Sequence, residues 1–416
     1  MDNVFITDIL IKNVRHLRNV QIPLSKEKIK HLMITGKNGS GKTSVLKALS
    51  IYLNSIATTT DLRQDKESLE RDINNLARAK KNQEELYKII EIEKRMEYWK
   101  NEIEKITQGI CLKFNCHENT IHNKFEEGRF IIAYYQDERV FQADNPKHVE
   151  KIELKNNYTI KEMPRQNFVK YLLDLKMTEA LAISGGKKEK AQKIEKWFAQ
   201  FEGLLQKIFD DAALKLEFDE DTFRFSIQET GREVFDFNTL SSGYAAVLDI
   251  VVDIIMRMEK RTNKTFQFDM PGIVLIDEIE THLHLELQKN IMKLLTTIFP
   301  NIQFIVSTHS PFILNSLDNV IIYDLENHLL VENGLSDVPY DGIVEGYFRA
   351  DKMSDILRDK FERYKELVQK EILTDNDFEE IAKLEMFLNE IPDYLALGIT
   401  TEYQRIKLQF EKREDI

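Results

Sequence analysis

Short apolar runs alternate with longer helical stretches through most of the chain, which is the pattern of an α/β protein. Nearly continuous apolar runs occupy residues 31–35, 130–135, 273–276 and 302–306. Runs of this length without polar alternation are typical of strands buried on both faces of a parallel sheet. A helical pattern at residues 283–299 separates the last two runs, so we expect a β-α-β unit there.

A different pattern covers residues 61–107, which are highly charged and contain no glycine. One apolar set, Leu62, Leu69 and Leu76, is spaced by seven residues. A second set is spaced by four and three residues in turn, as in a heptad repeat, and consists of Ile92, Met96, Trp99, Ile103 and Ile106. The polar segment 79–83 separates the two sets. The pattern predicts a short antiparallel helical hairpin, either a partner-binding arm or a packed helical subdomain.

The remaining patterns divide the chain into six segments. A second helical pattern lies on both sides of Gly185-Gly186. Alternating runs at 214–218 and 222–227 predict a β-hairpin. The chain after residue 340 is predicted to be helical, with Thr374 as the N-cap of one helix. We therefore expect an α/β head in three pieces (1–60, 108–163 and 211–340), a helical hairpin (61–107), a helical subdomain (164–210) and a helical C-terminal region (341–416).

Composition narrows the class of protein. The 416 residues contain two cysteines and no run of 18 apolar residues, which favours a cytoplasmic protein without a membrane span. The formal net charge is −12, so a broad DNA-binding face is not indicated, although DNA binding through a local basic patch stays possible. Only the lysine-rich segments 26–30 and 187–193 are candidates for such a patch.

Residues 36–43 fit the phosphate-binding pattern G-x-x-x-x-G-K-[ST], between a predicted strand and a predicted helix. Its glycines let successive backbone N–H groups converge on phosphate, Lys42 is placed to reach the β- and γ-phosphates, and the Thr43 hydroxyl is a ligand for Mg²⁺. The pattern predicts binding of ATP with Mg²⁺ through Gly36, Asn38, Gly39, Ser40, Gly41, Lys42, Thr43 and Ser44.

Polar residues follow three other predicted strands. Asp277 and Glu278 end the run at 273–276, where Asp277 would hold Mg²⁺ and Glu278 would polarise the attacking water as general base. His309 follows the next strand and could sense the γ-phosphate. Gln136 ends the run at 130–135 and could complete the Mg²⁺ and water contacts, or be an ordinary turn glutamine.

Leu240-Ser241-Ser242-Gly243 precedes a long helical pattern and places a second potential anion site at a helix N-terminus. We call these four residues the signature. The chain resembles an ABC-type ATPase head of the RecF/SMC-like kind, because its motifs occur in the order phosphate loop, Gln136, signature, Asp277-Glu278 and His309. The resemblance implies that Ser241, Ser242 and Gly243 contact a nucleotide held by another subunit, and hence a homodimer at least, with higher oligomers allowed. Tyr244 departs from the Gln or Glu that many members carry there.

Residues 277–284, Asp-Glu-Ile-Glu-Thr-His-Leu-His, are similar to ATPases of the overcoming-lysogenisation-defect group and their Septu-, retron- and PARIS-type anti-phage relatives. The resemblance implies a nucleotide-dependent switch that controls a separately encoded effector, a nuclease or toxin. Asp375 and Asp377 begin a predicted helix, so we assign them to capping and expect no fused nuclease site. Two alternatives stay open: a DNA-repair ATPase that clamps DNA, and a scaffold that ATP assembles with little turnover.

Overall fold

The computed structural model describes residues 3–83, 85–139, 141, 148–347, 355–370, 372–389 and 397–413. The chain forms two compact units, Met1–Val338 and Pro339–Ile416. The division lies two residues before the boundary expected after residue 340. No helix in the described ranges is both long and apolar enough to cross a membrane.

The described residues of the first unit form three sheets. Their strands are β1 (Ile6–Val14), β2 (Leu17–Pro23), β3 (His31–Thr35), β4 (Ile110–Phe114), β5 (Ile131–Tyr135), β6 (Lys215–Asp219), β7 (Arg224–Gln228), β8 (Gly272–Ile276), β9 (Ile302–Ser307), β10 (Val320–Asp324) and β11 (Leu329–Glu332). The largest sheet has the order β11-β10-β3-β9-β8-β5, β2-β1-β4 form an antiparallel sheet, and β6-β7 form the predicted hairpin.

Helices cover the sheets and form the insertions of this unit. They are α1 (Lys42–Thr58), α2 (Asp61–Lys81), α3 (Leu86–Thr107), α4 (Glu118–Glu126), α5 (Phe168–Ser184), α6 (Lys188–Phe209), α7 (Ser242–Thr262), α8 (Leu285–Ile298) and α9 (Pro311–Leu314), with a 3₁₀ turn at Pro164–Asn167. The mixed sheet with flanking helices confirms the expected α/β class.

Five strands of the largest sheet, β10, β3, β9, β8 and β5, are parallel, so their carboxyl ends meet at one edge. Every residue of β3, β8 and β9 is buried, which explains why these strands are apolar without alternation. The phosphate loop and the loops that carry Gln136, Asp277-Glu278 and His309 leave from this edge, whereas residues 241–243 lie at the start of α7.

Helix α1 fills the core between the parallel sheet and the antiparallel sheet. Leu46, Leu49 and Leu53 are fully buried there in one apolar cluster with residues of both sheets. A buried amide also joins the sheets, because Gln303 on β9 accepts from the Ile6 N–H at 2.7 Å and donates to the Ile6 carbonyl at 3.0 Å. These contacts hold the loop before α1 against a rigid base.

The insertion between α1 and β4 is a two-helix hairpin of α2 and α3, as the heptad spacing predicts. Near its middle, the Asp72 carboxylate accepts from the Arg95 guanidinium at 2.9 Å and from the Trp99 indole at 3.2 Å. Its base belongs to the head, since Leu62 is buried in the head core and Lys66 pairs with Glu118 at 2.8 Å. The outer half of the hairpin is much more exposed.

Helix α7 is buried along most of its length and carries ionisable side chains into the interior. The Asp253 carboxylate accepts from the Tyr135 hydroxyl at 2.8 Å and from the Arg257 Nε at 2.7 Å, and Asp249 pairs with Arg165 at 2.5 Å. Tyr135 is the last residue of β5. The cluster therefore ties the carboxyl end of β5 to the helix that begins with the signature.

The second unit is helical. Its described elements are α10 (Tyr340–Gly342), a π-helical turn (Ile343–Tyr347), α11 (Asp355–Val368), α12 (Asp375–Asn389) and α13 (Leu397–Glu411). Phe361, Tyr364 and Tyr403 form its apolar core. Thr374 caps α12 by accepting from the Asp377 N–H, while the Asp377 carboxylate accepts from the Thr374 N–H at 3.0 Å, a reciprocal capping box.

Candidate functional site

The loop between β3 and α1 has the backbone geometry of an anion nest. Gly36, Gly39 and Gly41 all have positive φ, at 132°, 87° and 101°. A side chain at Gly36 would also crowd the Ser40 hydroxyl, since a Cβ there would lie 2.8 Å from Oγ. No side chain caps α1, so the N–H groups of its first turn are available to an anion.

Lys42 lies inside this loop. Its ammonium donates to the Gly36 carbonyl at 2.9 Å and to the Lys37 carbonyl at 3.3 Å, and the side chain is buried. Burial lowers the pKa of Lys42, and the carboxylates of Glu278, Glu280 and Asp277 act in the opposite direction. The ammonium therefore faces the acidic residues that follow β8.

Asp277 and Glu278 are held against the next strand by one hydroxyl. The Ser307 Oγ, at the end of β9, donates to the Asp277 Oδ1 at 2.5 Å and accepts from the Glu278 N–H at 2.7 Å. Asp277 is buried, while Glu278 is partly exposed and has the left-handed backbone φ of 43°. This places a fixed carboxylate and a more accessible one side by side at the sheet edge.

His309 follows β9 and comes from the adjacent loop. Its backbone N–H donates to the Glu280 Oε1 at 2.5 Å, and its Nε2 is a buried atom without a hydrogen-bond partner among the described residues. Burial lowers the pKa of His309, Lys42 lowers it further, and Glu280 and Glu278 oppose that shift. The imidazole is thus neutral near pH 7 and lies within the field of the phosphate-loop lysine.

Gln136 lies directly after β5, at the same edge, with an exposed side chain. Three residues later, the buried Arg139 guanidinium donates to the carbonyls of Asp277 at 2.6 Å, Glu278 at 2.7 Å and Ile279 at 3.2 Å. Burial lowers the pKa of Arg139. Arg139 therefore fixes the loop after β8 to the segment that contains Gln136.

The signature lies at the start of α7. Ser241 and Ser242 are exposed and make no side-chain cap, so the first N–H groups of α7 are open to an external anion. Gly243 is buried against the loop after β8, and a Cβ there would lie 3.1 Å from the His282 carbonyl oxygen. Tyr244 stacks on Phe209 with ring centroids 4.0 Å apart and meets His284 edge to face.

The donor set of the edge fits a magnesium nucleotide. Mg²⁺ prefers oxygen ligands and keeps several waters, and the oxygens offered are the exposed Thr43 hydroxyl, the Asp277 carboxylate and the Gln136 amide oxygen. Within the described part of the chain, the buried polar atoms at this edge that have no partner include the Ser40 Oγ, the Glu280 Oε2 and the His309 Nε2. Such atoms are costly unless a ligand or water pairs with them.

Comparison with known proteins agrees with this arrangement. The family model described as "AAA domain, putative AbiEii toxin, Type IV TA system" matches residues 32–315. The Septu protein PtuA of Bacillus mycoides (strain KBAB4) is 26% identical over 417 residues, which cover 96% of this chain and 52% of PtuA. The chain thus spans about half the length of that relative.

Shorter matches concern two relatives named as ATPases. The Retron Ec83 probable ATPase of Escherichia coli is 44% identical over 89 residues, covering 21% of this chain and 16% of that protein. The Retron Vc95 probable ATPase of Vibrio cholerae is 42% identical over 94 residues, covering 22% and 18%. Among solved structures, the Smc head bound to the C-winged helix domain of ScpA has a TM-score of 0.40 at 14% identity, covering 80% of this chain and all of that one.

Three residues of the edge were not expected from the sequence: Arg139, Glu280 and Ser307. A signal existed for Glu280, which stands two residues after Glu278 in a short acidic run. Ser307 ends an apolar strand one residue ahead of Thr308-His309. Nothing near Arg139 distinguishes it from a surface arginine, because its partners are main-chain carbonyls about 140 residues away in sequence.

Proposed function

Because the chain belongs to the ATPase family described as "AAA domain, putative AbiEii toxin, Type IV TA system", we propose that it binds and hydrolyses ATP as the nucleotide-dependent switch of a bacterial anti-phage defence system. In this proposal it controls a separately encoded effector, a nuclease or toxin. The similarity to a Septu protein and to two retron ATPases supports the assignment to defence.

The observation that carries the proposal is the convergence of four loops at one sheet edge. The Lys42 ammonium lies in the field of Glu278, Glu280 and Asp277, and His309 lies in the field of Lys42. A phosphate-binding cation, two differently exposed carboxylates and a neutral imidazole are the groups that phosphoryl transfer to water needs at close quarters.

Different residues of the chain bind the phosphates, stabilise the developing charge and activate the water. The glycine loop and the open start of α1 bind the phosphates, and Lys42 offsets the charge that develops on the γ-phosphoryl oxygens. Glu278, the more accessible carboxylate, orients the attacking water and accepts its proton, while His309 and Gln136 position the water and the γ-phosphate. A bound Mg²⁺, held by Thr43, Asp277 and Gln136, would neutralise phosphate charge.

The signature fits a role in another subunit's site. Ser241 and Ser242 are exposed at an uncapped helix N-terminus, which suits contact with the γ-phosphate of a facing protomer. Two such contacts in a head-to-tail pair would give two equivalent composite sites. We infer that ATP brings two heads together and that hydrolysis releases them, which is the switch the effector would read.

Two variants test the hydrolytic site. Lys42→Ala should lose nucleotide binding, because the phosphates lose their main side-chain cation. Glu278→Gln should bind ATP normally but turn over about a hundredfold or more slowly, since the amide cannot accept the proton. Steady-state phosphate release and equilibrium binding of ATP are measured on both. Normal turnover of Glu278→Gln would remove Glu278 as the base, and absence of turnover in the wild-type protein would refute the proposed activity.

A further inference from the structure

Glu280 makes a contact that joins two loops of the site. Its Oε1 accepts from the His309 backbone N–H at 2.5 Å, which links the loop after β8 to the loop after β9. Charged acceptors of backbone N–H groups form the stronger hydrogen bonds in proteins. The contact fixes the main chain at the residue whose imidazole faces the phosphate loop.

The second oxygen of the Glu280 carboxylate is also buried in the site. Its Oε2 is a buried atom with no hydrogen-bond partner among the described residues, and so is the His309 Nε2. Glu280 also acts on Lys42 and on His309, since it opposes the burial that lowers the pKa of each. A buried carboxylate oxygen without a donor is costly unless a ligand or water pairs with it.

We propose that Glu280 is a positioning residue for hydrolysis, which holds His309 in register with Glu278 through the main-chain hydrogen bond. This inference rests on the proposed function, because the register matters only if both side chains act on the same nucleotide. The hydrogen-bond acceptor carries the role. The negative charge of Glu280 is secondary, since Lys42 already has Asp277 and Glu278 as acidic neighbours.

The two roles are separated by a pair of variants. Glu280→Gln keeps an acceptor of the same length and removes the charge, whereas Glu280→Ala removes both. We expect Glu280→Ala to lower kcat about tenfold or more with KM changed less than about threefold, and Glu280→Gln to retain at least about a third of wild-type kcat. If Glu280→Gln is as inactive as Glu280→Ala, charge and not positioning is the role, and the proposal is wrong.

A double-mutant cycle with His309→Ala tests whether Glu280 acts through His309. Once the imidazole is gone, its placement no longer matters, so Glu280→Ala should cost less than about twofold more in that background. Independent, multiplicative losses would overturn the proposal. Should Glu280→Ala fail to fold, Glu280→Met replaces it, because it has a similar volume and no acceptor.

Hydrogen–deuterium exchange supplies a readout that does not depend on turnover. The His309 amide should be protected in the wild-type protein and in Glu280→Gln, and should exchange faster in Glu280→Ala. Unchanged protection in Glu280→Ala refutes the positioning contact whatever the activity. If the exchange pattern is as expected but the wild-type protein does not hydrolyse ATP, the contact is real and the proposed function is what fails.

Discussion

Glu259 shows what a single buried carboxyl group does to this fold. It lies on α7 with only 1% of its surface exposed, and its Oε1 accepts from the Tyr171 hydroxyl at 2.8 Å. Burial raises the pKa of Glu259 from 4.5 to about 7. The folded protein therefore keeps a proton that the unfolded chain releases above about pH 4.5. Its stabilising contribution is fully present below that pH and is lost as the pH rises to 7.

Glu259→Gln tests this linkage, because glutamine still accepts from Tyr171 and cannot ionise. Relative to wild type, we expect its free energy of unfolding to rise between pH 5 and pH 8 by on the order of 2 kcal/mol. Urea unfolding at several pH values measures the difference between the two proteins. Glu195→Gln, at an exposed position of α6, is the control and should show a constant difference. The same flat profile for Glu259→Gln would contradict the prediction.

The sequence predicted some of the residues that the structure brings to this sheet edge and missed others, for a physical reason. The phosphate loop, Asp277-Glu278 and His309 were expected there because each is a short motif at the end of an apolar run, and their roles stay predictions. Arg139 and Ser307 were missed because their roles are defined by long-range partners, three backbone carbonyls in one case and the Asp277 carboxylate in the other. The residues next to Arg139 and Ser307 in the sequence do not predict contacts with such distant partners.

At the scale of elements, periodicity predicted the buried strands β3, β5, β8 and β9 and the two hairpins, but it did not separate the arm from the head. Heptad spacing predicts the α2–α3 hairpin, but Leu62 and Leu69 occupy the same heptad position, so the spacing does not predict which of them lies in the head core. The structure buries Leu62 in the head core, while the start of α3 stays open, with Leu86 72% exposed and Tyr87 61% exposed. The base of the hairpin is thus part of the head, and only its outer half is a free arm.

Truncation of the arm tests this division. Replacing residues 70–98 with a short Gly/Ser linker should leave ATP affinity within about twofold, because the nucleotide loops keep their support. Replacing all of 61–107 should lower the free energy of unfolding by about 2 kcal/mol or more, since Leu62 leaves the core. Nucleotide titration and chemical unfolding are measured on both. Loss of ATP binding in a folded 70–98 variant would mean that the outer arm supports the site.

Helix α7 connects the element scale to the whole molecule. One end carries the exposed Ser242, and its buried middle holds Asp253, which is bonded to Tyr135 next to Gln136. A force on the signature can therefore reach the carboxyl end of β5 through a fully buried hydrogen bond. Buried ionic clusters resist rearrangement, because breaking one leaves an uncompensated charge. The signature and the Gln136 segment should move as one body.

For the whole molecule, the sharpest consequence of the proposed head-to-tail pairing is that one chain alone would not complete its own site. Ser242→Arg should fold, because the position is exposed, and should bind ATP through an intact phosphate loop. It should not hydrolyse ATP, because the guanidinium blocks the approach of the signature to a neighbour's γ-phosphate. Glu233→Arg, exposed and outside the signature, is the matched control and should hydrolyse normally.

Mixing inactive Ser242→Arg with inactive Lys42→Ala then decides the mechanism. In a mixed head-to-tail pair, one composite site combines a sound phosphate loop with a sound signature, and the other site carries both defects. Half of the sites in each mixed pair are sound, so the turnover per mixed pair should be about half that of a wild-type pair. Phosphate release is followed after mixing, and light scattering with differently tagged chains shows that mixed assemblies form. If mixed pairs are present and remain inactive, the signature does not act across subunits, and the ATP-driven pairing that underlies the proposed switch must be abandoned.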